Sequence, residues 1–280
     1  MNGLLQQCLA PVLSRNRQFQ NRHTGDTCYI FGNGASLKSM DLAAFTDHPA
    51  IGVNFLCLHK DFRALDLRYY VVPEAFFFYP IRLNAYNARY QTNIFGRLFK
   101  RTFLAEHGDI PLFTSASNVF GAVPGNIYYL HHFGHRRPDR AHCDITGAFS
   151  FMTGGLYAAV GVAINLGFRK AILVGCDYTF SPTKNGYFYS AGVMPPSNNF
   201  TNVYESLIRE CIGTIELEVI TDSGVSSWFP SREYTPFTGR PLVYRENVEL
   251  VAAETLTVLQ HASDLGWYTL QVYPDAVGAS

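Results

Sequence analysis

One turn in the sequence has the residue types and the spacing that suit binding of an anion. The segment FGNGASLKSMD, positions 31–41, follows the apolar run Cys28–Phe31 and contains Gly32, Asn33, Gly34 and Ser36. A plain turn needs one glycine, whereas two glycines one residue apart leave backbone N–H groups uncovered and allow close approach of a ligand. The pattern therefore predicts contact with the phosphate of a nucleotide, with an ordinary strand-to-helix turn as the alternative.

Other polar residues are predicted to lie at the same edge of a parallel sheet. Asn54 follows a second apolar run, and Asp177 and Tyr178 follow a third, AILVGC. A helix predicted to open at Thr153 and Gly154 would point its free N–H groups and positive dipole end towards the same place. Ligands of open parallel sheets bind beyond the carboxyl ends of the strands, so these segments predict one site. The alternative for Asp177 is a cap on the turn that follows it.

The apolar pattern predicts an α/β, Rossmann-like, mostly parallel sheet with flanking helices. Residues 1–26 are predicted to form a leader helix and a polar linker, and residues 27–280 a single domain. Within that domain, residues 75–145 lack clean periodicity and are predicted to be an inserted helical and aromatic lid. Strands are predicted at Cys28–Phe31, Ala50–Phe55, Leu67–Pro73, Ala171–Phe180 and Glu216–Thr221, and helices at Thr153–Gly167, Val203–Ile212 and Val248–Leu265.

Composition restricts the class of partner and the compartment. The 280 residues have a formal net charge of zero and are 48% hydrophobic, 15% aromatic and 16% charged, which argues against nucleic-acid binding. Six scattered cysteines without a CxxC pair predict buried free thiols in a reducing compartment. No apolar run reaches the length that spans a bilayer. We therefore expect a cytoplasmic protein, with peripheral contact at the inner face of the cell membrane left open.

Two segments give the chain a resemblance to known families. FGNGASLKSMDL resembles the GNGPSL signature of the bacterial family 42 sialyltransferases, and it is also similar to the MptE-like family, which includes pterin diphosphokinases and surface-polysaccharide proteins. TGGLYAAVGVAINLGFRKAILVGCDYTF is similar to the helix and strand that both families share. VITDSGVSSWFPSREYTPF is similar to the end of the polysaccharide-locus relatives. The resemblance leaves out residues 75–145, and it implies a Rossmann-like fold.

The resemblance also implies roles for individual residues. The turn residues Gly32, Asn33, Gly34 and Ser36 would hold the phosphates of a nucleotide. Asn54 would bond to the nucleotide or to its sugar. The remaining positions would line the nucleotide or donate to the phosphate or leaving group: Asp177, Tyr178, Tyr187 and Tyr189. Tyr187 and Tyr189 have packing of the loop as their alternative.

The sequence departs from the sialyltransferase pattern at the catalytic base. That family uses a histidine after the strand that ends in aspartate, and this chain has no histidine between His142 and His261. A base must still remove the proton of an acceptor hydroxyl. The candidates are the carboxylates Asp177, Asp144 and Glu74 and the histidines of segment 131–142. The cluster at the start of that segment lacks carboxylate or cysteine partners at ligand spacing, so no metal site is predicted; it comprises His131, His132, His135, Arg136 and Arg137.

The first hypothesis for function is a glycosyltransferase of surface-glycan assembly that is independent of metal. Its partners would be a nucleotide-activated sugar, with a CMP-linked acidic sugar as one donor, and a glycan or lipid-linked acceptor; a homo-oligomer is left open. The first alternative is an MptE-like pterin diphosphokinase, which would need Mg²⁺ held by carboxylates. The second is a non-catalytic nucleotide-binding protein of a polysaccharide locus.

Overall fold

The computed structural model describes residues 2–75, 77–79, 94–121, 125–131, 143–147, 149–150, 154–193, 213–226 and 228–264. Strands account for much of the core of this part of the chain. They are β1 (Thr27–Phe31), β2 (Ala50–Val53), β3 (Leu67–Val72), β4 (Leu112–Ser115), β5 (Ile127–Leu130), β6 (Lys170–Val174), β7 (Phe180–Ser181), β8 (Glu216–Thr221), β9 (Val225–Ser226) and β10 (Ser231–Glu233).

Eight of these strands form one parallel sheet in the order β10-β8-β6-β1-β2-β3-β4-β5. The short strands β7 and β9 pair antiparallel beside it. From β1 the chain adds strands outward to β5, then returns to place β6 on the other side of β1. The predicted α/β Rossmann-like class, a parallel sheet flanked by helices, is confirmed.

Alternating side chains divide the sheet between two cores. In β1, Cys28 and Ile30 belong to one buried cluster, and Tyr29 and Phe31 belong to the other. This follows from the two-residue period of a strand. Because both faces are covered, the central strands β1, β2, β3 and β6 are mostly apolar, which is why the sequence predicted them.

Helices cover the sheet, and the helix predicted from 153 to 167 is confirmed as α3. Its small residues Ala158, Ala159 and Ala163 are fully buried against the strands. No helix within the described ranges is long and apolar enough to cross a bilayer. The helices are α1 (Asn2–Ser14), α2 (Ile94–Phe99), α3 (Gly155–Leu166), α4 (Tyr234–Thr238), α5 (Asn247–Leu250) and α6 (Ala253–Asp264), with a π turn at Lys100–Leu104 and a further helical turn at Ala105–His107 after α2.

The region 75–145 contains two strands of the main sheet and is therefore not a lid as a whole. β4 pairs with β3, and β5 pairs with β4 as the edge strand. Each strand has only four residues, and a short apolar run without flanking periodicity does not distinguish a strand from a buried helical turn. The aromatic part of the predicted lid, residues 80–93, lies outside the described residues, as does the predicted helix 203–212.

One predicted strand ends earlier than expected, and one predicted helix is divided in two. The strand predicted over 171–180 stops at Val174, because Asp177–Thr179 forms a 3₁₀ turn that leads into β7. The C-terminal helix is interrupted at Val251, which is extended and buried between α5 and α6. Apolar spacing continues across both breaks, so periodicity alone did not show them.

Residues 13–19, which the sequence assigned to a leader and linker, contribute buried side chains to the core. Leu13 and Phe19 are each 1% exposed, and α1 contacts β5. Asn16 is fully buried, and its Nδ2 donates to the carbonyl oxygens of Tyr129 (2.8 Å) and Ile145 (2.6 Å). This side chain therefore joins the N-terminal segment to β5 and to the segment that follows 143.

Replacing Asn16 tests whether the N-terminal segment folds with the sheet. We expect Asn16→Ala to lower the free energy of unfolding by about 2 kcal/mol, because two buried carbonyl groups lose their donor. The exposed neighbour Gln18 is the matched control, and Gln18→Ala should change stability by less than about 0.5 kcal/mol. Urea denaturation measures both. Equal stabilities of the two variants would contradict a role for Asn16 in joining the N-terminal segment to the sheet.

Candidate functional site

The strand order creates a crevice at the carboxyl ends of β1 and β6. These neighbouring strands are followed by connections that leave in opposite directions across the sheet, which makes their boundary the topological switch point. The turn Gly32–Ser36 follows β1, and Gly175–Asp177 follows β6. The two segments that the sequence selected therefore meet at the place where open parallel sheets bind ligands.

A buried carboxylate joins these two segments. Asp177 Oδ2 accepts the backbone N–H of Ser36 at 2.7 Å, and Oδ1 accepts the Ser36 hydroxyl at 2.5 Å. Asp177 and Ser36 are 3% and 1% exposed. Burial raises the pKa of Asp177 to about 6, although both bonds from Ser36 oppose the increase. Asp177 thus fixes the turn after β1, and both of its oxygens are already engaged.

The two glycines are required by close packing against β6 and Asp177. A Cβ on Gly32 would lie 2.4 Å from the carbonyl oxygen of Gly175, and one on Gly34 would lie 2.2 Å from the carboxyl carbon of Asp177. Their N–H groups donate to Val174 and Gly175 carbonyls, both at 2.8 Å. The expectation of uncovered N–H groups is therefore wrong for Gly32, Gly34 and Ser36. Whether the turn contacts a nucleotide stays a prediction.

Two asparagines at the same edge carry buried side-chain oxygens that have no partner among the described residues. They are Asn33 Oδ1 and Asn54 Oδ1. Phe31 of β1 pairs with Gly52 of β2. Asn33 lies two residues after Phe31, and Asn54 lies two residues after Gly52. The two side chains therefore extend from matching places on adjacent strands. Unpaired buried acceptors are costly, and they point to a ligand that donates hydrogen bonds.

Asn54 has a left-handed backbone conformation and lies beside the start of α3. Its φ of 50° is in the left-handed region, which asparagine tolerates better than most residues. Its Nδ2 donates to Glu74 Oε1 at 2.7 Å, and a Cβ on Gly155 would come within 3.3 Å of the same nitrogen. Asn54 thus lies beside the first turn of α3, where N–H groups lack partners within the helix. Gly154 precedes that turn, and Thr153 lies outside the described residues.

Tyr187 and Tyr189 lie next to the turn Gly32–Ser36, which carries Asn33. Their rings are parallel, with centroids 4.9 Å apart and an interplanar angle of 10°. Tyr187 forms a bridge with Gly34, and the N–H of Phe188 donates to the carbonyl oxygen of Asn33 at 3.1 Å. Burial raises the pKa of Tyr178, which a hydrogen bond with Tyr187 partly offsets. The three predicted tyrosines therefore belong to the same edge as Asn33.

The two other predicted carboxylates occupy different places. Glu74 is exposed just beyond β3 and contacts Asn54, so it belongs to the rim of the crevice. Asp144 is exposed and accepts from Thr146, both from its N–H and from its hydroxyl. The preceding carbonyl, of Cys143, accepts from Asn165 in the last turn of α3. That end of α3 leads into the start of β6, so the structure does not group Asp144 with Asp177.

The histidine-rich segment contributes one described residue, His131, which is buried directly after β5. The other histidines and arginines of 132–142 lie outside the described residues. Within the part of the chain that the structure describes, no group of three or more His, Cys, Asp or Glu side chains is arranged to hold a metal ion.

Sequence reasoning missed an ion pair next to Asp177. Lys184 Nζ lies 2.5 Å from both carboxylate oxygens of Asp222, and the N–H of Lys184 donates to the carbonyl oxygen of Asp177 at 3.3 Å. Asp222 directly follows β8. The rule that selected Asp177, a polar residue after a buried parallel strand, would also have selected Asp222.

Comparisons with known proteins gave one distant similarity. No family model matches the chain, and no curated protein matches it. Among solved structures, the chain is similar to the sialyltransferase CstII from Campylobacter jejuni in complex with a substrate analogue, cytidine-5′-monophosphate. The TM-score is 0.45 and the identity 12%, over 85% of this chain and 98% of that chain. A likeness this distant does not assign roles to residues.

A methyl group at Gly34 tests the packing against Asp177. We expect Gly34→Ala to lower the free energy of unfolding by about 1–3 kcal/mol, because the added Cβ overlaps the Asp177 carboxylate. Gly154→Ala is the control, since a Cβ there would meet nothing within 4 Å. Thermal and urea denaturation measure both variants. A Gly34→Ala protein as stable as Gly154→Ala would contradict this arrangement.

The raised pKa of Asp177 predicts how stability depends on pH. A carboxyl group whose pKa is higher in the folded protein stabilises the fold most below pH 4, and this contribution is lost as the pH rises through about 6. Asp177→Asn keeps an acceptor for the Ser36 N–H and removes the titration. The wild type should therefore lose stability relative to Asp177→Asn between pH 4 and 7, by up to about 3 kcal/mol. Urea denaturation across this range measures the difference, and parallel curves would contradict it.

Proposed function

We propose that the protein is a glycosyltransferase that uses a nucleotide-activated sugar, with a CMP-linked acidic sugar as donor and a glycan or lipid-linked sugar as acceptor. The observation that carries the proposal is the pair of unpartnered buried oxygens, Asn33 Oδ1 after β1 and Asn54 Oδ1 after β2, at the carboxyl edge of the sheet next to the switch point. The hydroxyl groups of a ribose or sugar and the exocyclic amine of cytosine are the donors that such oxygens accept from. The sequence resemblance to sialyltransferases supports the same choice.

The phosphate of the donor has a different place in this proposal. Phosphate oxygens accept hydrogen bonds from N–H or O–H donors, and the backbone N–H groups of Gly32, Gly34 and Ser36 are already occupied. The first turn of α3 lies beside Asn54 and supplies N–H groups and the positive end of a helix dipole. The nucleoside would therefore contact the two asparagines, and its phosphate would face α3. Negative charge that develops on the leaving group would be stabilised there.

Glu74 is the carboxylate best placed to act as the base. It is exposed at the rim, and its Oε1 is held by Asn54 Nδ2 at 2.7 Å. Asp177, by contrast, is buried with both oxygens bonded to Ser36. In the proposed reaction, Glu74 takes the proton of the acceptor hydroxyl, whose oxygen bonds to the anomeric carbon of the donor. The bond from that carbon to the phosphate oxygen breaks, and CMP leaves with the electron pair.

Nucleotide binding is the first property to measure. We expect CMP to raise the melting temperature without Mg²⁺, because a ligand that binds only the folded state stabilises it by mass action. Asn33→Ala should abolish this increase and leave the free protein at least as stable, since it removes a buried acceptor that has no partner. The screen covers CMP, CDP, UMP, UDP, GDP and ATP, with and without Mg²⁺, and Gln18→Ala is the control.

Turnover of the donor separates the proposal from its alternatives. Glu74→Gln should keep CMP binding and slow CMP release from a CMP-linked sugar by about 10²–10⁴-fold, because the base is lost while the contact with Asn54 is kept. Stabilisation by ATP only, and only with Mg²⁺, would favour the pterin diphosphokinase. Binding of CMP without any turnover would favour a non-catalytic nucleotide-binding protein. No stabilisation by any nucleotide would contradict the proposal.

A further inference from the structure

Lys38 is a buried lysine that the proposed reaction does not use. It is 1% exposed, and lysine is rarely buried to this degree unless its charge is paired. Its Nζ donates to Glu246 Oε1 at 2.6 Å and to the carbonyl oxygen of Gly192 at 2.7 Å. The lysine therefore links three parts of the chain that are far apart in sequence.

One of the linked parts is the segment 239–251, named here the C-terminal strap. Its backbone runs along the end of the turn that follows β1. Val243 N–H donates to the Ser39 carbonyl at 3.0 Å, and Arg245 N–H donates to the Lys38 carbonyl at 2.8 Å. The Arg245 side chain also donates to Asp61 at 2.7 Å. The strap is thus fixed to the same turn that carries Asn33.

The other linked part is the segment 185–193, named here the tyrosine loop because it carries Tyr187 and Tyr189. Besides the bond from Lys38, the strap contacts this loop twice. Gly192 N–H donates to Glu246 Oε1 at 3.3 Å, and Asn247 Nδ2 donates to the Tyr189 carbonyl at 3.1 Å. The loop is therefore bonded to the strap at Tyr189 and Gly192, and to the turn through Phe188.

We propose that Lys38 and Glu246 are positioning residues that hold the tyrosine loop against the strap, so that the stacked rings of Tyr187 and Tyr189 stay beside Asn33. Neither residue touches the crevice itself, and their effect on a ligand is transmitted by the loop. The ligand part of this inference rests on the proposed function, whereas the fastening of the loop rests on the contacts alone. Binding at the crevice then depends on residues more than 200 positions apart in sequence.

The test removes both charges at once. Removing only Glu246 would leave the buried charge of Lys38 unpaired, so the double variant Lys38→Met/Glu246→Gln is used. Glutamine keeps an acceptor for the N–H of Asn247, which Glu246 caps at the start of α5. We expect amide hydrogen exchange at residues 187–192 to rise about tenfold or more, and the affinity for CMP to fall by a similar factor, since charged hydrogen bonds are lost.

Two further variants separate positioning from general stability. Arg240→Met removes a cation of the same strap whose partner is Asp41, and it should change neither loop exchange nor CMP affinity. Lys38→Arg keeps a cationic donor, so its loop exchange and its CMP affinity should both be close to those of the wild type. Where the double variant does not fold, Lys38→Met alone gives the same comparison, because it removes the bond to the Gly192 carbonyl and the carboxylate it leaves unpaired is partly exposed.

Unchanged exchange at residues 187–192 in a folded charge-removing variant would overturn the inference. So would faster exchange with unchanged CMP affinity, because the loop would then be irrelevant to binding. If the wild type binds no nucleotide, the proposed function fails, and the exchange data alone decide whether the pair fastens the loop.

Discussion

The carboxyl edge of this protein depends on one buried carboxylate. Taking a carboxylate out of water is costly unless hydrogen bonds compensate, and Asp177 receives two, both from Ser36. These bonds connect residues 141 positions apart and lock the turn after β1 against the end of β6. Only glycine fits at position 34, because the carboxylate occupies the space of a side chain. The place of Asn33, and thus the shape of the crevice, follows from this contact.

The same helical turn carries a second anchor. In Ala35–Lys38, Ser36 bonds inward to Asp177, and Lys38 bonds to Glu246 of the strap. Ser36 and Lys38 lie two residues apart, and each bonds a carboxylate from a distant part of the chain: Ser36 donates to the buried Asp177, and Lys38 pairs with Glu246. The pairing of Lys38 holds the pKa of Glu246 down to about 2. The short turn Ala35–Lys38 thus connects the centre of the sheet, the tyrosine loop and the C-terminal strap.

The sequence predicted those strands and site residues that a local apolar pattern marks. β1, β3, β6 and β8 are apolar runs, and their parallel arrangement brings Gly32–Ser36, Asn54 and Asp177 to one edge. β4 and β5 were missed because each is a four-residue apolar run with no periodic segment beside it. The partners of Asp177 and Lys38 lie 141 and 208 residues away, and no spacing rule reaches that far. The role of Gly32 and Gly34 was predicted wrongly for the same reason. These positions require glycine because Gly175 and Asp177, which are distant in sequence, pack against them.

The chemistry of the unpaired atoms changes what the glycine turn means for a ligand. A turn with free N–H groups would favour a phosphate. The turn after β1 instead carries the unpaired acceptor Asn33 Oδ1, and the residue after β2 carries the unpaired acceptor Asn54 Oδ1. Under the proposed function, such a pair would accept from the hydroxyl or amino groups of a ligand, and the helix start beside Asn54 would face its anionic part. A nucleotide linked to a sugar has both features, and inorganic phosphate has only the second. In the proposed function, donors and acceptors would be divided between α3 and the asparagines, so the protein would recognise a whole nucleotide rather than its phosphate alone.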